Sequence, residues 1–308
     1  MNYKRLLRRS LRTLGVLTLL FCLAAAWAVE YALPYWPIKP LRRNPATMTA
    51  QLPLGYRPEQ YGLQAENWQV RTPDSILLSA LYLPARARAN GKTLLLLHGI
   101  SNCKETFLPR AAELTNLGYN VLLTDLRAHG QSGGEYNTFG YRETGDIAAL
   151  IDTLETRHPG TKIGILGHSL GGAIALQCLA NDKRLQFGVI ESTFHELPAV
   201  IEQYGVNYFG IRSEWLARRT LDKSAAIAHY EPYRILPVKA AERITQPMFV
   251  SHGEADERIP LAFGRQNFEH LASADKIWYP VPGARHSTIY KDGGETYKQA
   301  VQAFLDKQ

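Results

Sequence analysis

Apolar runs alternate with amphipathic segments from about residue 67 to the end of the chain. Short continuous or alternating apolar runs are typical of strands, and apolar residues three and four positions apart are typical of helices. The runs that predict strands are residues 67–70, 76–83, 93–97, 120–124, 162–166, 189–192, 247–251 and 277–281. The spacings that predict helices are at residues 107–117, 147–154, 171–179 and 297–305. Because the two kinds of segment alternate, we predict an α/β fold with a doubly wound, mostly parallel sheet.

The first two predicted strands are separated by the turn residues Pro73, Asp74 and Ser75. A short polar turn between two apolar runs favours an antiparallel hairpin, and we expect this one at an edge of the sheet. The strand at residues 93–97 contains four consecutive leucines, as expected of a strand buried on both faces.

The alternation breaks between Ser192 and Ile244. This segment is rich in large apolar residues, namely Leu197, Val200, Ile201, Tyr204, Tyr208, Phe209, Ile211, Trp215 and Leu216. We interpret residues 193–244 as a small helical cap insertion that holds the determinants of substrate preference. The alternative is ordinary packing of extra helices against the sheet, and both arrangements can hold together.

The N-terminus carries an uncharged apolar run at residues 14–29, which follows five Lys and Arg residues and precedes Glu30. Such a segment predicts a transmembrane anchor or a signal helix, here residues 1–33. The sequence Ala26-Trp27-Ala28 fits a signal-cleavage site, but the neighbouring aromatic residues favour an uncleaved anchor. In either case the basic flank is expected to stay in the cytoplasm, with the remainder of the chain on the other side of the membrane.

Residues 34–66 contain six prolines and little regular apolar spacing. We interpret this segment as a tether along the surface of the domain, without a chemical role of its own. The predicted α/β domain then covers residues 67–308.

The formal net charge of +7 lies entirely in the N-terminal part of the chain. Residues 1–43 carry eight Lys and Arg side chains and one Glu, so the remaining residues balance to zero. A neutral body without a long basic run excludes a nucleic-acid partner. The three cysteines Cys22, Cys103 and Cys178 show neither a disulfide framework nor metal-ligand spacing.

A short apolar run at residues 162–166 ends in the pattern G-x-S-x-G, formed by Gly167, Ser169 and Gly171. A serine on a sharp turn between strand and helix needs small neighbours, because the backbone there is strained and crowded. The helix that follows would direct its positive N-terminal end at negative charge developing beside Ser169. The pattern therefore predicts a nucleophile elbow, a strand–turn–helix unit whose turn carries a nucleophilic serine for acyl chemistry.

A nucleophilic serine needs a base and a group that orients the base, and later strands of an open sheet end near it. Asp256 lies in a polar loop after the strand at 247–251, and His286 follows the last strand. The candidates thus occur in the order serine, aspartate, histidine. Glu191, at the end of the strand after the predicted elbow helix, is an alternative to Asp256.

With these motifs the chain resembles the α/β-hydrolase superfamily, most closely its monoacylglycerol-lipase-like and serine-aminopeptidase-like branch, which includes members with an N-terminal membrane segment. The resemblance covers about residues 67–308. Its motifs are His98-Gly99, Asp125-Leu126-Arg127-Ala128-His129-Gly130-Gln131-Ser132, Gly167-His168-Ser169-Leu170-Gly171-Gly172, the loop from Gly253 to Asp256, and His286. Ala128 departs from the pattern, since the family often has glycine there.

The resemblance implies a role for each site residue. Ser169 would attack the substrate, His286 would carry the proton and Asp256 would fix the histidine tautomer. The backbone N–H groups of Ile100 and Leu170 would form the oxyanion hole.

The sequence and the resemblance together predict a membrane-attached serine hydrolase of the esterase or lipase type, acting through an acyl-enzyme. The expected partners are a small ester or acyl substrate and, through the N-terminal segment, a membrane. No cofactor and no metal ion is expected. The alternatives are a thioesterase or serine aminopeptidase on the same fold, a non-catalytic binding protein, and a secreted or periplasmic protein after signal cleavage.

Overall fold

The computed structural model describes residues 3–48 and 52–308, so positions 1, 2 and 49–51 of the predicted membrane segment and tether lie outside the described residues. Within the described residues, eight strands form one sheet in the order β1-β2-β4-β3-β5-β6-β7-β8. The strands are β1 Glu66–Arg71, β2 Leu77–Leu83, β3 Lys92–Leu97, β4 Asn120–Thr124, β5 Lys162–His168, β6 Leu185–Glu191, β7 Met248–Gly253 and β8 Lys276–Val281. The strands β3 to β8 pair in parallel, whereas β2 is antiparallel to both of its neighbours.

Helices cover both faces of this sheet and lie beyond its carboxyl edge. They are α1 Tyr3–Trp27, α2 Tyr35–Ile38, α3 Leu108–Asn116, α4 Glu143–Arg157, α5 Leu170–Asn181, α6 Leu197–Phe209, α7 Glu214–Ala228, α8 Pro237–Ala241, α9 Leu261–Glu269, α10 Ile289–Asp292 and α11 Gly294–Asp306. The predicted doubly wound α/β fold and its edge hairpin are confirmed.

The core has one layer on each face of the sheet. Along β3 the side chains of Leu95 and Leu97 pack with α4 and α5, while those of Leu94 and Leu96 pack with α3 and α11. Successive side chains of a strand point to opposite faces, so a strand that is covered on both sides must be apolar at every position.

Several element boundaries differ from the sequence predictions by a few residues, those of β6 and α3 among them. β6 begins at Leu185 rather than at residue 189, because Gln186 and Gly188 interrupt its apolar run. Gly188 lies under the side chains of α5 and β7: a Cβ there would lie 2.6 Å from Leu179 Cδ1, so the Leu179 side chain would have to move. The predicted helix at 107–117 starts as a 3-10 turn, Lys104–Phe107, and becomes α-helical at Leu108.

The N-terminal helix α1 extends away from the sheet. It continues through a π-helical turn, Ala28–Ala32, and the segment Arg9–Ile38 is long and apolar enough to cross a membrane. Its apolar window is not buried against the rest of the protein. The base of this segment contacts α7, where Glu30 pairs with Arg219 at 2.6 Å and with Lys223 at 2.7 Å.

The order of the central strands determines where a site can form. β3 lies between β4 and β5, so the connection from β3 leads to the neighbouring strand on one side, and the connection from β4 then leads to the strand on the other side. Leu97 at the end of β3 is in register with Gly167 at the end of β5. A crevice at the carboxyl ends of two such strands is the usual binding place in open α/β sheets.

Candidate active site

Ser169 lies at the sharp turn between β5 and α5. Its backbone has φ 57° and ψ −117°, a conformation that is costly for a residue with a side chain. The strain persists because β5 and α5 are both fixed by packing, and the Ser169 N–H donates to Glu191 O at 2.9 Å. The predicted strand–turn–helix context of the serine is therefore confirmed.

The glycines of the motif are needed for close backbone contacts. A Cβ at Gly167 would lie 2.3 Å from Gly171 O, and a Cβ at Gly171 would lie 2.1 Å from Leu97 O. Both distances are far below van der Waals contact with a backbone atom that cannot rotate away. The motif spacing thus reflects the packing of α5 against β3 and β5.

The structure brings Ser169, His286 and Asp256 into one hydrogen-bonded row. His286 Nε2 lies 2.9 Å from Ser169 Oγ, and His286 Nδ1 lies 2.8 Å from Asp256 Oδ2. A carboxylate only accepts, so Nδ1 carries the proton and Nε2 is left to accept from the serine hydroxyl. The three groups come from turns after β5, β7 and β8, and their side chains are buried or nearly so.

Four donors hold the Asp256 carboxylate. The backbone N–H groups of Arg258 and Ile259 donate to Oδ1, both at 2.9 Å, while His286 and His252 face Oδ2. Burial alone raises the pKa of the Asp256 carboxyl, but the hydrogen bonds from His252 and His286 outweigh it and hold the pKa well below its usual range. The Asp256 carboxylate is thus ionised beside His286 at neutral pH.

Glu191, the alternative acid, is engaged elsewhere. Its carboxylate accepts from Arg110 at 2.6 Å and from the Tyr297 hydroxyl, on the side of the sheet that carries α3 and α11. Its nearest approach to a histidine of the site is 3.9 Å, to His168 Nδ1. Among the two candidates, only Asp256 forms a hydrogen bond with His286.

The predicted oxyanion donors lie beside Ser169. Leu170 is the first residue of α5, and Ile100 follows β3 and lines the same cavity as Ser169. In the described part of the chain, neither N–H donates to another protein group. The first N–H groups of a helix have no partner within the helix, so they are available to an anion.

His98 shapes the loop that carries Ile100. Its Nε2 accepts from Leu126 N–H at 3.1 Å, and therefore its Nδ1 carries the proton and donates to Gly99 O at 2.8 Å. Desolvation by burial lowers the pKa of His98, which keeps the ring neutral.

A cavity of about 670 Å³ opens above Ser169 and His286. One wall comes from β3 and β5, with Ile100 and His168, and another from the predicted cap, with Tyr204 and Tyr208 on α6. A third wall comes from residues 36–48 of the segment that the sequence marks as a tether. The sequence did not indicate this position.

Residues 36–43 are fixed to the domain by specific contacts. Ile38 is completely buried in the core, and its carbonyl accepts from Asn137 N–H at 2.8 Å. Arg42 donates to the carbonyls of Gly130, Ser132 and Gly134. Trp36 packs edge-on against Tyr208 with ring centroids 4.9 Å apart. This part of the N-terminal segment is therefore an integral wall of the cavity.

His252 is a second residue that sequence reasoning missed. The residue is completely buried at the end of β7. Its Nε2 lies 2.9 Å from Ile259 O and 3.3 Å from Asp256 Oδ2. Both neighbours are acceptors, so Nε2 must carry a proton. A histidine inside an apolar strand is the sequence signal that could have indicated a buried polar contact.

The structure shows no arrangement suited to a metal ion within residues 3–48 and 52–308: no three His, Cys, Asp or Glu side chains are grouped to hold one. The cysteines are free, with Cys22 exposed and the other two buried.

The sheet order, the serine turn after β5 and the residues after β7 and β8 show that the chain has the α/β-hydrolase fold. The family model described as serine aminopeptidase, S33, matches residues 88–224.

Similarity to known proteins extends over most of the chain. It is 27% identical to the uncharacterized protein YqkD of Bacillus subtilis, over 70% of this chain and 71% of that protein. It is 28% identical to protein bem46 of Schizosaccharomyces pombe, over 80% and 79% of the two chains. The solved structure of the Pyrococcus furiosus esterase Pf2001 superimposes with a TM-score of 0.71 at 25% identity, covering 88% of this chain and 97% of that one.

Proposed function

We propose that this protein is a serine hydrolase that cleaves carboxylic esters through an acyl-enzyme. The observation that carries the proposal is the row Ser169–His286–Asp256, hydrogen-bonded at 2.9 and 2.8 Å at the base of a cavity. A serine hydroxyl becomes a nucleophile when a neutral imidazole accepts its proton and a carboxylate holds the imidazole in the required tautomer. The similarity to an esterase structure supports the same reaction class.

In the proposed acylation, Ser169 Oγ forms a bond to the ester carbonyl carbon while its proton passes to His286 Nε2. The carbonyl oxygen becomes an oxyanion, which the N–H groups of Ile100 and Leu170 stabilise. The bond to the leaving oxygen then breaks, and that oxygen takes the proton from His286 as it departs as an alcohol.

In the proposed deacylation, water repeats the attack. His286 Nε2 accepts a proton from the water as its oxygen bonds to the acyl carbon. The Ser169 Oγ–carbon bond breaks, the proton returns to Oγ, and a carboxylic acid leaves. Asp256 stays ionised throughout and stabilises the imidazolium in both steps.

The serine aminopeptidase description of the matched family model makes amide cleavage the alternative. An aminopeptidase must bind the free α-ammonium group of its substrate, and a carboxylate is the usual partner for a buried ammonium. The residues described as lining this cavity include no Asp and no Glu. The lack of a carboxylate favours an ester over an aminoacyl amide as the substrate. A thioester could react with the same residues in the same way as an ester.

We further propose that α1 anchors the protein in a membrane, with the hydrolytic domain outside the cytoplasm. The apolar surface of α1 is exposed, and Trp27 and Tyr31 are exposed at its base. The large exposed side chains of Tyr208 and Phe209, at the end of α6, and of Trp215, at the start of α7, lie on the same predicted cap that contacts this base. Aromatic residues at this level are typical of a membrane–water interface.

The reaction is tested by treating the purified full-length protein in a neutral detergent with a fluorophosphonate, followed by a panel of aryl esters, thioesters and aminoacyl amides. We expect Ser169 to be labelled, because an activated hydroxyl attacks this electrophile readily. Ser169→Ala should abolish labelling and turnover, and Asp256→Asn should lower kcat by roughly 10³ to 10⁴-fold.

Ser213→Ala is the control, since this hydroxyl caps α7 by accepting from Leu216 N–H. It should label and turn over like the unchanged protein. A folded protein that neither labels nor hydrolyses any member of the panel would support a binding role. Activity limited to aminoacyl amides would support the peptidase.

A further inference from the structure

The cavity above Ser169 has an uneven charge distribution. Three cationic side chains line it, those of Lys39, Arg43 and Arg258, and the residues described as lining it include no carboxylate. The pKa of His168 is lowered to about 4, mainly by burial and to a lesser extent by the nearby His286, so its ring adds no charge at neutral pH. The cavity is thus a cationic chamber.

The positive charges of these three side chains are only weakly paired with carboxylates of the protein. Lys39 meets Glu135 at 3.2 Å, but both side chains are more than half exposed, and such pairs are weak. The Arg258 guanidinium pairs only loosely with Glu257, with Nε 3.9 Å from the Glu257 carboxylate, and this pair is again exposed. Arg43 has neither an ion pair nor a hydrogen bond with any other described residue.

The backbones that carry the two arginines are held in place. Arg43 follows Arg42, which is fixed by three carbonyl acceptors, and Leu41 N–H donates to Ser101 Oγ. The Arg258 N–H donates to Asp256 Oδ1, and the Arg258 carbonyl accepts from Asn207 on α6. One guanidinium is therefore presented by the N-terminal segment and the other by the loop that orients His286.

We infer that this cavity selects acyl esters that carry a negatively charged group. This rests on the ester hydrolysis proposed above and names its substrate class. Guanidinium groups bind carboxylate and phosphate through paired N–H donors, and the two anions share this chemistry. A neutral ester gains nothing from the same groups, so the charge difference becomes a difference in kcat/KM.

The test uses the full-length protein in a neutral detergent with two pairs of substrates, and the members of each pair share the same ester bond and differ in charge. One pair is the 4-nitrophenyl ester of hexanoic acid and the mono-4-nitrophenyl ester of adipic acid, which places a carboxylate on the acyl side. The other pair is acetylglycerol and acetylglycerol phosphate, which places a phosphate on the alcohol side. The two pairs distinguish the two sources of negative charge.

We expect kcat/KM to favour the charged member of at least one pair by about 10-fold at low salt, and the preference to shrink at 0.5 M salt as the charges are screened. Arg43→Gln and Arg258→Gln should each reduce the charged-to-neutral ratio several-fold, and Arg43→Lys should retain part of it. Arg88→Gln is the matched control, because Arg88 is exposed in the loop after β2, at the opposite edge of the sheet from Ser169.

Equal kcat/KM for both members of both pairs would overturn the inference. So would arginine variants that slow the charged and neutral esters equally, since the guanidinium would then have only a structural role. An unchanged protein that hydrolyses no ester and resists the fluorophosphonate would instead overturn the proposed reaction.

Discussion

His252 Nε2 lies 3.3 Å from Asp256 Oδ2, the same oxygen that accepts from His286 Nδ1 at 2.8 Å. The carboxylate is therefore placed between two imidazole rings, one facing the serine and one buried behind it. His252 touches neither Ser169 nor the cavity wall, so any contribution to the reaction passes through the position of Asp256.

Replacing His252 should lower kcat more than it changes KM. His252→Leu removes the donor to Asp256 Oδ2 and should lower kcat about 10-fold, because a less fixed carboxylate orients His286 less well. His252→Gln keeps an N–H near the position of Nε2 and should recover part of the loss. Steady-state kinetics with a soluble ester, together with melting temperatures, provides the measurement. Full kcat in a folded His252→Leu protein would contradict the role.

The glycines of the elbow give a prediction about stability. Gly171→Ala places a methyl group 2.1 Å from Leu97 O and should cost about 3 kcal/mol or more, since neither backbone can move without separating α5 from β3. Gly145→Ala on α4 is the control: its Cβ would meet no atom within 4 Å, and the helix should gain about 0.5 to 1 kcal/mol. Denaturant titration measures both. Equal effects of the two substitutions would show that the elbow is not tightly packed.

The sheet could be predicted from the sequence because its strands are short apolar runs between polar turns. The row Ser169, Asp256 and His286 could be proposed because the carboxyl ends of neighbouring parallel strands meet at one edge. The roles assigned to these residues remain predictions, as does the division of the chain into a membrane segment, a tether and a domain with a cap at 193–244.

The position of Trp36 and Arg43 could not be predicted from the sequence. They line the same cavity as Ser169 although more than a hundred residues of chain separate them from it. This position depends on the burial of Ile38 in the core and on the hydrogen bonds of Arg42 to loop carbonyls. A proline-rich segment without regular spacing of apolar residues gives no indication, in its own sequence, of the surface against which it packs. Ala128 has φ 62°, a conformation that favours glycine, and this is consistent with the glycine that the resemblance implies at this position.

Asp74 should make stability depend on acid pH. The hydrogen bond from Arg127 lowers the pKa of the Asp74 carboxyl to about 2, against about 3.9 in an unfolded chain. A lowered folded-state pKa stabilises the protein above the unfolded value, and this stabilisation disappears as the pH falls from about 5 to about 2. The side chain is about a third exposed, so we expect only about 1 kcal/mol after solvent screening.

Asp74→Asn should therefore lower the free energy of unfolding at pH 7 and give a shallower decrease below pH 5. Denaturant titrations across this pH range measure the difference. Asp152→Asn is the control, because Asp152 is exposed and its partner Arg184 keeps Asp182 and Glu155. Parallel stability curves for unchanged protein and Asp74→Asn would contradict the expected linkage.

The buried part of the N-terminal segment predicts where the chain can be shortened. Removing residues 1–29 deletes α1 but keeps Glu30, Trp36 and Ile38, and the domain should stay folded. Removing residues 1–43 also deletes the buried Ile38 and the carbonyl contacts of Arg42. The loss should be about 3 kcal/mol, or about 10 °C in melting temperature. Equal melting temperatures for the two proteins would mean that residues 30–43 do not stabilise the domain.

The orientation of α1 is the last prediction, and it follows from the charges that precede the apolar run. Lys4, Arg5, Arg8, Arg9 and Arg12 all lie on the N-terminal side. Short flanks rich in Lys and Arg stay in the cytoplasm, so the domain and a reporter fused after Gln308 should be on the other side.

A reporter enzyme that works only outside the cytoplasm should be active in this fusion, and one that works only inside should be inactive. Replacing the five basic residues with Glu should reduce or invert this difference, whereas replacing Lys307 with Glu should not, because it lies far from the apolar run. Activity of the cytoplasmic reporter in the unchanged fusion would contradict the orientation. The mature N-terminus, read by mass spectrometry, then separates an anchor from a cleaved signal: a chain starting at Val29 is the product expected from cleavage after Ala26-Trp27-Ala28.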